Sequence, residues 1–457
     1  MRAYYDSSSK SHKDDRITQY LEDTAKLKAW LKVESELALA QAKVGLIPQS
    51  AADNIKLNAK LSNLDLQRME QIKAEVGHGF VPFVKVLVEA CDAEAGKYVH
   101  YGVTTQNIQQ TGQLLILKNL TIVFKQILGE ILGNLSAVAS EHAHSVMAGR
   151  THGRHAIPIT FGYKASVWIY ELMQAIERLE ESEKRVFTVM MGGAVGGFNS
   201  MPEHGRQVQK LVAEALRMNE MLVPSRNINS HKIEYIFALA MVCNALHKMA
   251  EEVYYGGIEE FDEVQESFKG GTIGSSTMPH KINPKLAKGI ITNSQKLYSL
   301  MEPGLYSNVR LYEGDSTSYL LFDGLLDEAI ELTTEVLIRA NALTKDLHVN
   351  KERLYQNATI NHGLDNAEHV MMELAKIIGK DKAHELMYKI AMKVKLEHAD
   401  FVTLLKEEPL LKNESAQYLE SLVRPENYTG LCHELADEQA QLAKKKSAEL
   451  GQLQTNL

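Results

Sequence analysis

The distribution of proline constrains this fold more than any other feature of the sequence. Only ten prolines occur among 457 residues, and none lies within residues 83–157, 225–278 or 304–408. An interior proline breaks an α-helix because it lacks an amide hydrogen and clashes with the preceding turn. The three proline-free stretches therefore leave room for very long helices. Strand-like alternation of apolar and polar residues is almost absent.

Apolar residues recur at helical spacing along much of the chain. The segment at 111–135 is apolar on nearly all sides, which is typical of a helix buried within a bundle or between subunits. Further helices are predicted at 17–45, 160–190, 231–266 and 325–346.

These helices predict an all-α protein with a central bundle of long helices. We expect an N-terminal helical domain at 1–110, the central bundle at 111–350 and a C-terminal helical domain at 351–457. A long thin bundle buries little surface by itself, so we expect its faces to meet other copies of the chain.

Charge and cysteine content exclude several classes of protein. The net charge of −8 argues against nucleic-acid binding, which needs a basic surface, but allows a local positive pocket for a small anionic substrate. Three widely spaced cysteines indicate a reducing compartment. The N-terminus has no apolar signal core, and charged residues interrupt the most apolar stretch. We expect a cytoplasmic protein without membrane contact.

Four polar segments interrupt the predicted helices. They combine histidine, threonine, arginine or lysine with glycine or proline, in "EVGHGFVPF", "YVHYGVTTQN", "AGRTHGRHAIP" and "GSSTMPHKINP". Each one alone is explained by helix capping or turn formation, and "TTQN" before an apolar helix is typical of an N-cap. Capping does not require arginine, lysine and several histidines together, so the set indicates more than capping. No metal-ligand spacing or dinucleotide fingerprint is present, and we expect neither metal nor cofactor.

The last segment resembles the signature loop of the fumarase/aspartase superfamily, G-S-S-x-M-P-x-K-x-N-P, at every fixed position. "HYGVTTQN" and "GRTHGRHA" resemble the other two characteristic regions of that superfamily, in the same order. In having a histidine, His280, before the loop lysine, the chain resembles the branch that holds the adenylosuccinate lyases and the 3-carboxymuconate cycloisomerases. "GHGFVPF" is similar to a segment of the lyases, whereas "RPENYTG" is more similar to the cycloisomerases.

The resemblance implies a homotetramer with a twenty-helix core, in which three subunits assemble each active site. It implies a carbon–nitrogen lyase that removes a proton beside a carboxylate and releases fumarate from an N-succinyl substrate, with adenylosuccinate as the expected one. The alternatives are another N-succinyl compound, 3-carboxymuconate cyclisation and a non-catalytic scaffold.

The resemblance also assigns roles to residues. Ser275 is the expected general base, and Lys281 and Asn283 would hold the carboxylate whose charge grows in the reaction. His152 is the expected general acid, and His78 would support it or contact the leaving group. The other expected substrate contacts are His100, Tyr101, Thr104, Thr105, Thr151, Arg154, Ser276 and Met278.

The chain also departs from the superfamily pattern. Lys288 replaces the usual glutamate that pairs with the acid histidine, and a cation there would disfavour the protonated form of His152. Asn107 replaces an aspartate, and Arg154 a glutamine. The stretch 313–323 lacks the arginine that binds nucleotide phosphate in adenylosuccinate lyases, so Arg2, Arg154 or His231 would have to bind it instead.

Overall fold

The computed structural model describes residues 14–267, 277–315 and 317–455. Within these ranges the chain folds mainly into α-helices, which confirms the all-α class. The helices are α1 Asp15–Leu21, α2 Asp23–Lys43, α3 Gln49–Asn58, α4 Leu66–Val76, α5 Val81–Ala90, α6 Thr105–Glu141, α7 Phe161–Val186, α8 Gly205–Leu216, α9 Ser230–Gly256, α10 Leu286–Tyr298, α11 Met301–Ser307, α12 Thr317–Lys345, α13 Lys351–Ala358, α14 Ala367–Ile378, α15 Lys380–Glu397, α16 Phe401–Glu407, α17 Ala416–Leu422 and α18 Cys432–Gly451.

Short strands join some of these helices. They are β1 Val146–Thr151, β2 Arg154–Thr160, β3 Thr188–Val189, β4 Asn219–Glu220, β5 Val264–Gln265 and β6 His348–Val349. β1 and β2 form an antiparallel hairpin, β3 pairs with β4 in parallel, and β5 pairs with β6 antiparallel. The prediction of one helix over 231–266 is wrong at its C-terminal end. The chain turns back at Gly256, where a Cβ would lie 2.7 Å from Val264 Cγ1, and then enters β5.

Helix α6 is the longest of the helices described above. Its 37 residues span about 55 Å at the α-helical rise of 1.5 Å per residue. The predicted N-cap is confirmed, because Thr104 and Asn107 form a capping box in which the Asn107 side chain accepts from Thr104 N at 3.0 Å. Most of the helix is buried on several sides, as its apolar sequence predicts.

The long helices pack side by side around one extended core. α6 contacts α7, α12 and the C-terminal helix α18, while α9 packs against α7, α10 and α12. α18 approaches α6 closely at Gly129, where a Cβ would lie 3.1 Å from Leu450 Cβ. α9 is long and apolar enough to cross a membrane, but most of its apolar stretch is buried in this bundle, as in the core helix of many proteins.

A second, smaller core lies between α14 and α17. It is built from Val370, Leu374, Phe401, Leu405 and Leu419, all of them buried. The domain boundaries at residues 110 and 350 stay a prediction.

Candidate active site

Three of the four polar segments resemble the characteristic superfamily regions, and the first of these three, "YVHYGVTTQN", lies at the N-terminal end of α6. Thr104 is the N-cap and Thr105 the first helical residue, and both are half-buried. The first amide N–H groups of a helix lack intrahelical acceptors and carry the positive end of the helix dipole. The two threonines therefore present hydroxyl groups where a carboxylate is favoured.

His100 stands just before this helix and is held by a buried carboxylate. Glu34, 2% exposed, accepts from His100 N at 3.2 Å and lies 2.7 Å from His100 Nδ1. The backbone φ of His100 is +60°, a value that residues other than glycine rarely adopt. The ring of Phe80 packs 5.4 Å from the imidazole. Glu34 therefore orients the imidazole and leaves Nε2 to contact a ligand.

Tyr101 follows His100 in the chain, and His78 precedes Phe80, whose ring packs on His100. The carbonyl of Tyr101 accepts from Gln41 Nε2 at 2.7 Å, and its side chain is exposed. His78 is also exposed, and its Nδ1 accepts from the amides of Phe80 and Val81, both at 3.1 Å. Because Nδ1 accepts both bonds, the neutral ring carries its hydrogen on Nε2. His78 can therefore donate from Nε2 while Nδ1 caps the start of α5.

Sequence reasoning missed the groups that support the first turn of α6. Asn107 Oδ1 also accepts from Gly193 N at 3.0 Å, while its buried Nδ2 has no hydrogen-bond partner among the described residues. Arg226 Nε donates to Gln106 Oε1 at 2.9 Å. These contacts join stretches far apart in sequence, so local pattern carries no signal for them. Gly193 belongs to the glycine-rich stretch "MGGAVGGFNS", which lies between α7 and α8.

The second predicted segment is the hairpin turn between β1 and β2. His152 and Gly153 occupy its tip with φ of +53° and +69°, as two-residue hairpin turns require. Thr151, His152 and Arg154 are exposed there. Below the tip, Arg150 donates to the Glu263 carboxylate at 2.6 and 2.9 Å, and the hairpin is thereby anchored to the body of the protein.

The third predicted segment is the signature loop, of which the structure describes the second half. Ser275 and Ser276 lie outside the described residues. Met278 and Lys281 are exposed, and Asn283 lines a groove of about 620 Å³ with His280 and neighbouring residues.

The start of α10, directly after the loop, is capped by Glu266. Its carboxylate accepts from the amides of Lys285 and Leu286, both at 3.0 Å, and of Ala287 at 2.6 Å. Lys288 follows in the first turn of α10 and is exposed.

The second and third segments are both anchored beside β5, whereas the first lies apart. The hairpin is anchored on Glu263, just before this strand, and the end of the loop on Glu266, just after it. The first segment precedes α6, whereas the hairpin begins five residues after the helix ends. About 55 Å of helix therefore separates them. Among the described residues, the predicted site residues of one chain therefore do not all lie in one pocket.

The three residues named above as alternative phosphate ligands differ in position and burial. Arg2 lies outside the described residues, and Arg154 is exposed at the hairpin tip. His231 is buried, and in the part of the chain that the structure describes neither ring nitrogen has a hydrogen-bond partner. Burial, with a smaller contribution from neighbouring Lys232, lowers the pKa of His231 to about 3. The ring is therefore neutral at pH 7 and supplies no charge to an anion. Within 14–267, 277–315 and 317–455, no group of three or more His, Cys, Asp or Glu side chains could hold a metal ion.

Two family models match this chain. The model described as "Lyase" matches residues 8–296, and that described as "Adenylosuccinate lyase C-terminus" matches residues 363–439. The chain belongs to this lyase family of the fumarase/aspartase superfamily. It is a lyase, as its sequence predicts.

Similar proteins extend along nearly the whole chain. An adenylosuccinate lyase of Methanocaldococcus jannaschii is 36% identical over 93% of this chain and 93% of its own length. An N-acetyl-S-(2-succino)cysteine lyase of Dickeya dadantii is 31% identical over 89% of each. The crystal structure of a 3-carboxy-cis,cis-muconate lactonizing enzyme from Pseudomonas putida superposes with a TM-score of 0.86 and 26% identity, covering 95% of this chain and 98% of that one.

Proposed function

We propose that this lyase eliminates fumarate from an N-succinyl substrate, with adenylosuccinate as the first candidate. The observation that carries the proposal is the similarity to an adenylosuccinate lyase over 93% of both chains, together with the adenylosuccinate lyase C-terminal match at 363–439. The N-terminus of α6 supports it, because Thr104 and Thr105 present hydroxyl donors at the positive end of the helix dipole, where a succinyl carboxylate is favoured.

The reaction begins with removal of a proton from the carbon beside a carboxylate. Ser275, as an alkoxide, takes this proton, and the electron pair moves into the carboxylate, which becomes a dianion. Lys281 and Asn283 stabilise that charge. The carbon–nitrogen bond then breaks as His152 protonates the leaving nitrogen, and fumarate is released with its new double bond.

Because the hairpin tip is exposed, His152 can donate a proton in an active site on another copy of the chain. His152 stands at the tip, whereas Thr104 lies across the length of α6. An active site containing both therefore draws on more than one copy. Large apolar side chains exposed on the surface support such an assembly, which we propose is a homotetramer: they are Tyr170, Phe237, Leu305, Tyr306, Val309, Leu311 and Tyr312.

A second candidate is elimination of a thiol from an S-succinyl thioether. Lys288 favours it, because a cation near His152 would disfavour the protonated imidazole that an amine leaving group needs. A thiolate leaves more readily unprotonated, since a thiol loses its proton near pH 8.5. The relative from Dickeya dadantii is named for such a substrate.

The test is a fumarate-release assay with the purified full-length protein. Adenylosuccinate, N-acetyl-S-(2-succino)cysteine and 3-carboxymuconate are each incubated, and fumarate is followed by its ultraviolet absorbance. Fumarate and AMP from adenylosuccinate support the first candidate, and fumarate from the thioether alone supports the second. Loss of 3-carboxymuconate without fumarate, or no reaction of any substrate, rejects both.

A further inference from the structure

Arg226 is a cation placed against the first turn of α6. Its Nε donates to Gln106 Oε1 at 2.9 Å and its Nη1 to the carbonyl of Ala194 at 3.2 Å. Gln106 follows the N-cap Thr104 by two residues, so these hydrogen bonds hold Arg226 beside the first turn of α6, which also carries the proposed carboxylate site.

The charge of Arg226 is not balanced by these contacts. Both acceptors are neutral amide oxygens, and a guanidinium stays protonated at all physiological pH values. Within the described part of the chain, no carboxylate is among the hydrogen-bond acceptors of Arg226. Its Nη2 takes part in neither bond. A half-buried cation of this kind attracts an anion more strongly than one in open water.

Hydrogen bonds from neighbouring residues fix the backbone at Arg226. Arg310 binds the carbonyl of Arg226 through Nη1 and the carbonyl of Asp315 through Nε, the latter at 2.8 Å. Asn227 Nδ2 donates to Tyr312 O at 2.6 Å. These bonds bring the stretch before α12 against Arg226, and a Cβ at Gly314 would lie 3.3 Å from Arg226 Cβ.

We propose that Arg226 binds an anionic group on the half of the substrate that leaves when fumarate forms. This inference rests on the proposed function, which places the succinyl half of the substrate at Thr104 and Thr105. The planar guanidinium suits the oxygens of a phosphate or a carboxylate. Arg226 thus determines specificity next to the 313–323 stretch, which itself contains no arginine.

Two pairs of substrates, each differing by the anion alone, test this role in the full-length protein. Adenylosuccinate is compared with succinyladenosine, which lacks the phosphate. N-acetyl-S-(2-succino)cysteine is compared with the S-succinyl thioether of N-acetylcysteamine, which lacks the leaving-group carboxylate. The variants are Arg226→Gln and Arg226→Lys, with Arg178→Gln, an exposed arginine of α7, as the matched control.

Arg226→Gln should raise KM about 10- to 100-fold for the anionic member of the pair that the protein accepts, and change the uncharged member less than about twofold. Arg226→Lys should raise this KM by a smaller factor, and Arg178→Gln should leave it unchanged. A loss confined to the nucleotide pair identifies a phosphate, and one confined to the thioether pair a carboxylate. Equal losses on both members of a pair, or none, would overturn the proposal.

Direct binding separates this inference from the proposed function. Calorimetry measures AMP and N-acetylcysteine, the two candidate leaving groups, binding to the wild type and to Arg226→Gln. If no substrate is turned over but one leaving group binds and Arg226→Gln weakens it at least tenfold, the function is wrong and the anion site stands. If neither leaving group binds and no substrate reacts, the anion site is rejected as well.

Discussion

Replacement of Glu34 by glutamine should impair the candidate site through His100, without touching substrate. Glu34 is 2% exposed and contacts both Nδ1 and the backbone amide of His100. The substitution keeps the size and one oxygen acceptor but removes the negative charge. It therefore tests whether that charge sets the orientation and proton position of the imidazole.

The magnitude follows from the two contacts. A hydrogen bond to a charged group contributes about 1.5–3 kcal/mol, and the 2.7 Å contact to Nδ1 is of this kind. At about 1.4 kcal/mol per tenfold, kcat/KM for fumarate release should fall about 10- to 100-fold. The positive φ of His100 adds to the loss, because this backbone conformation costs about 1–3 kcal/mol and the Glu34 contacts help to hold it.

The assay is kcat/KM for Glu34→Gln, His100→Gln and the double variant, with Glu34→Asp as the control that keeps the charge. Because Glu34 acts through His100, the double variant should be no worse than His100→Gln alone. Circular dichroism and sedimentation show whether each variant is folded and assembled. Additive losses, or an unchanged kcat/KM for Glu34→Gln, would refute the reasoning.

Three further substitutions test other parts of the structure. Ser275→Ala should lower fumarate release about 100- to 10,000-fold with the assembly intact by sedimentation, and unchanged turnover would remove Ser275 from the base role. Asn107→Ala leaves the Thr104 and Gly193 amides without their acceptor and should lower thermal stability by about 1–3 kcal/mol, whereas Asn107→Asp keeps both acceptors and should not; equal losses would contradict this. His231 has a pKa of about 3 in the native protein, whereas in the unfolded chain its pKa is about 6.5. Between these values only the unfolded chain is protonated there, so the free energy of unfolding falls as the pH falls from about 6.5 towards 3, by at most about 1.4 kcal/mol per pH unit. His231→Gln should flatten that slope in denaturant titrations, and an identical slope would show that other groups cause it.

The long helices could be predicted from sequence because their determinants are local. Proline-free apolar stretches located α6 and α12, and "TTQN" indicated the capping box that begins α6. The end of α9 could not be placed from periodicity, because the pattern continues past Gly256. Gly256 allows Val264 to approach closely, but Val264 reaches this position only after the chain has turned, so the local pattern does not show the break.

The site was predictable as a set of segments but not as an arrangement. The hairpin at His152 was missed as a strand pair, although a histidine and a glycine in succession suit its positive φ angles. The position of Arg226 beside Gln106 depends on contacts 120 residues apart, so no sequence window contains it. The distance between the first segment and the hairpin, by contrast, follows from the length of α6 alone.

That distance has a genetic consequence. If one end of each chain supplies Thr104 and the opposite end supplies His152 to a different site, a chain damaged at one end still carries an intact other end. Two inactive versions of the protein, one damaged at each end, would then restore some working sites when a cell makes both. A chain that is defective at one end would likewise lower the catalytic activity of the intact chains in the same oligomer.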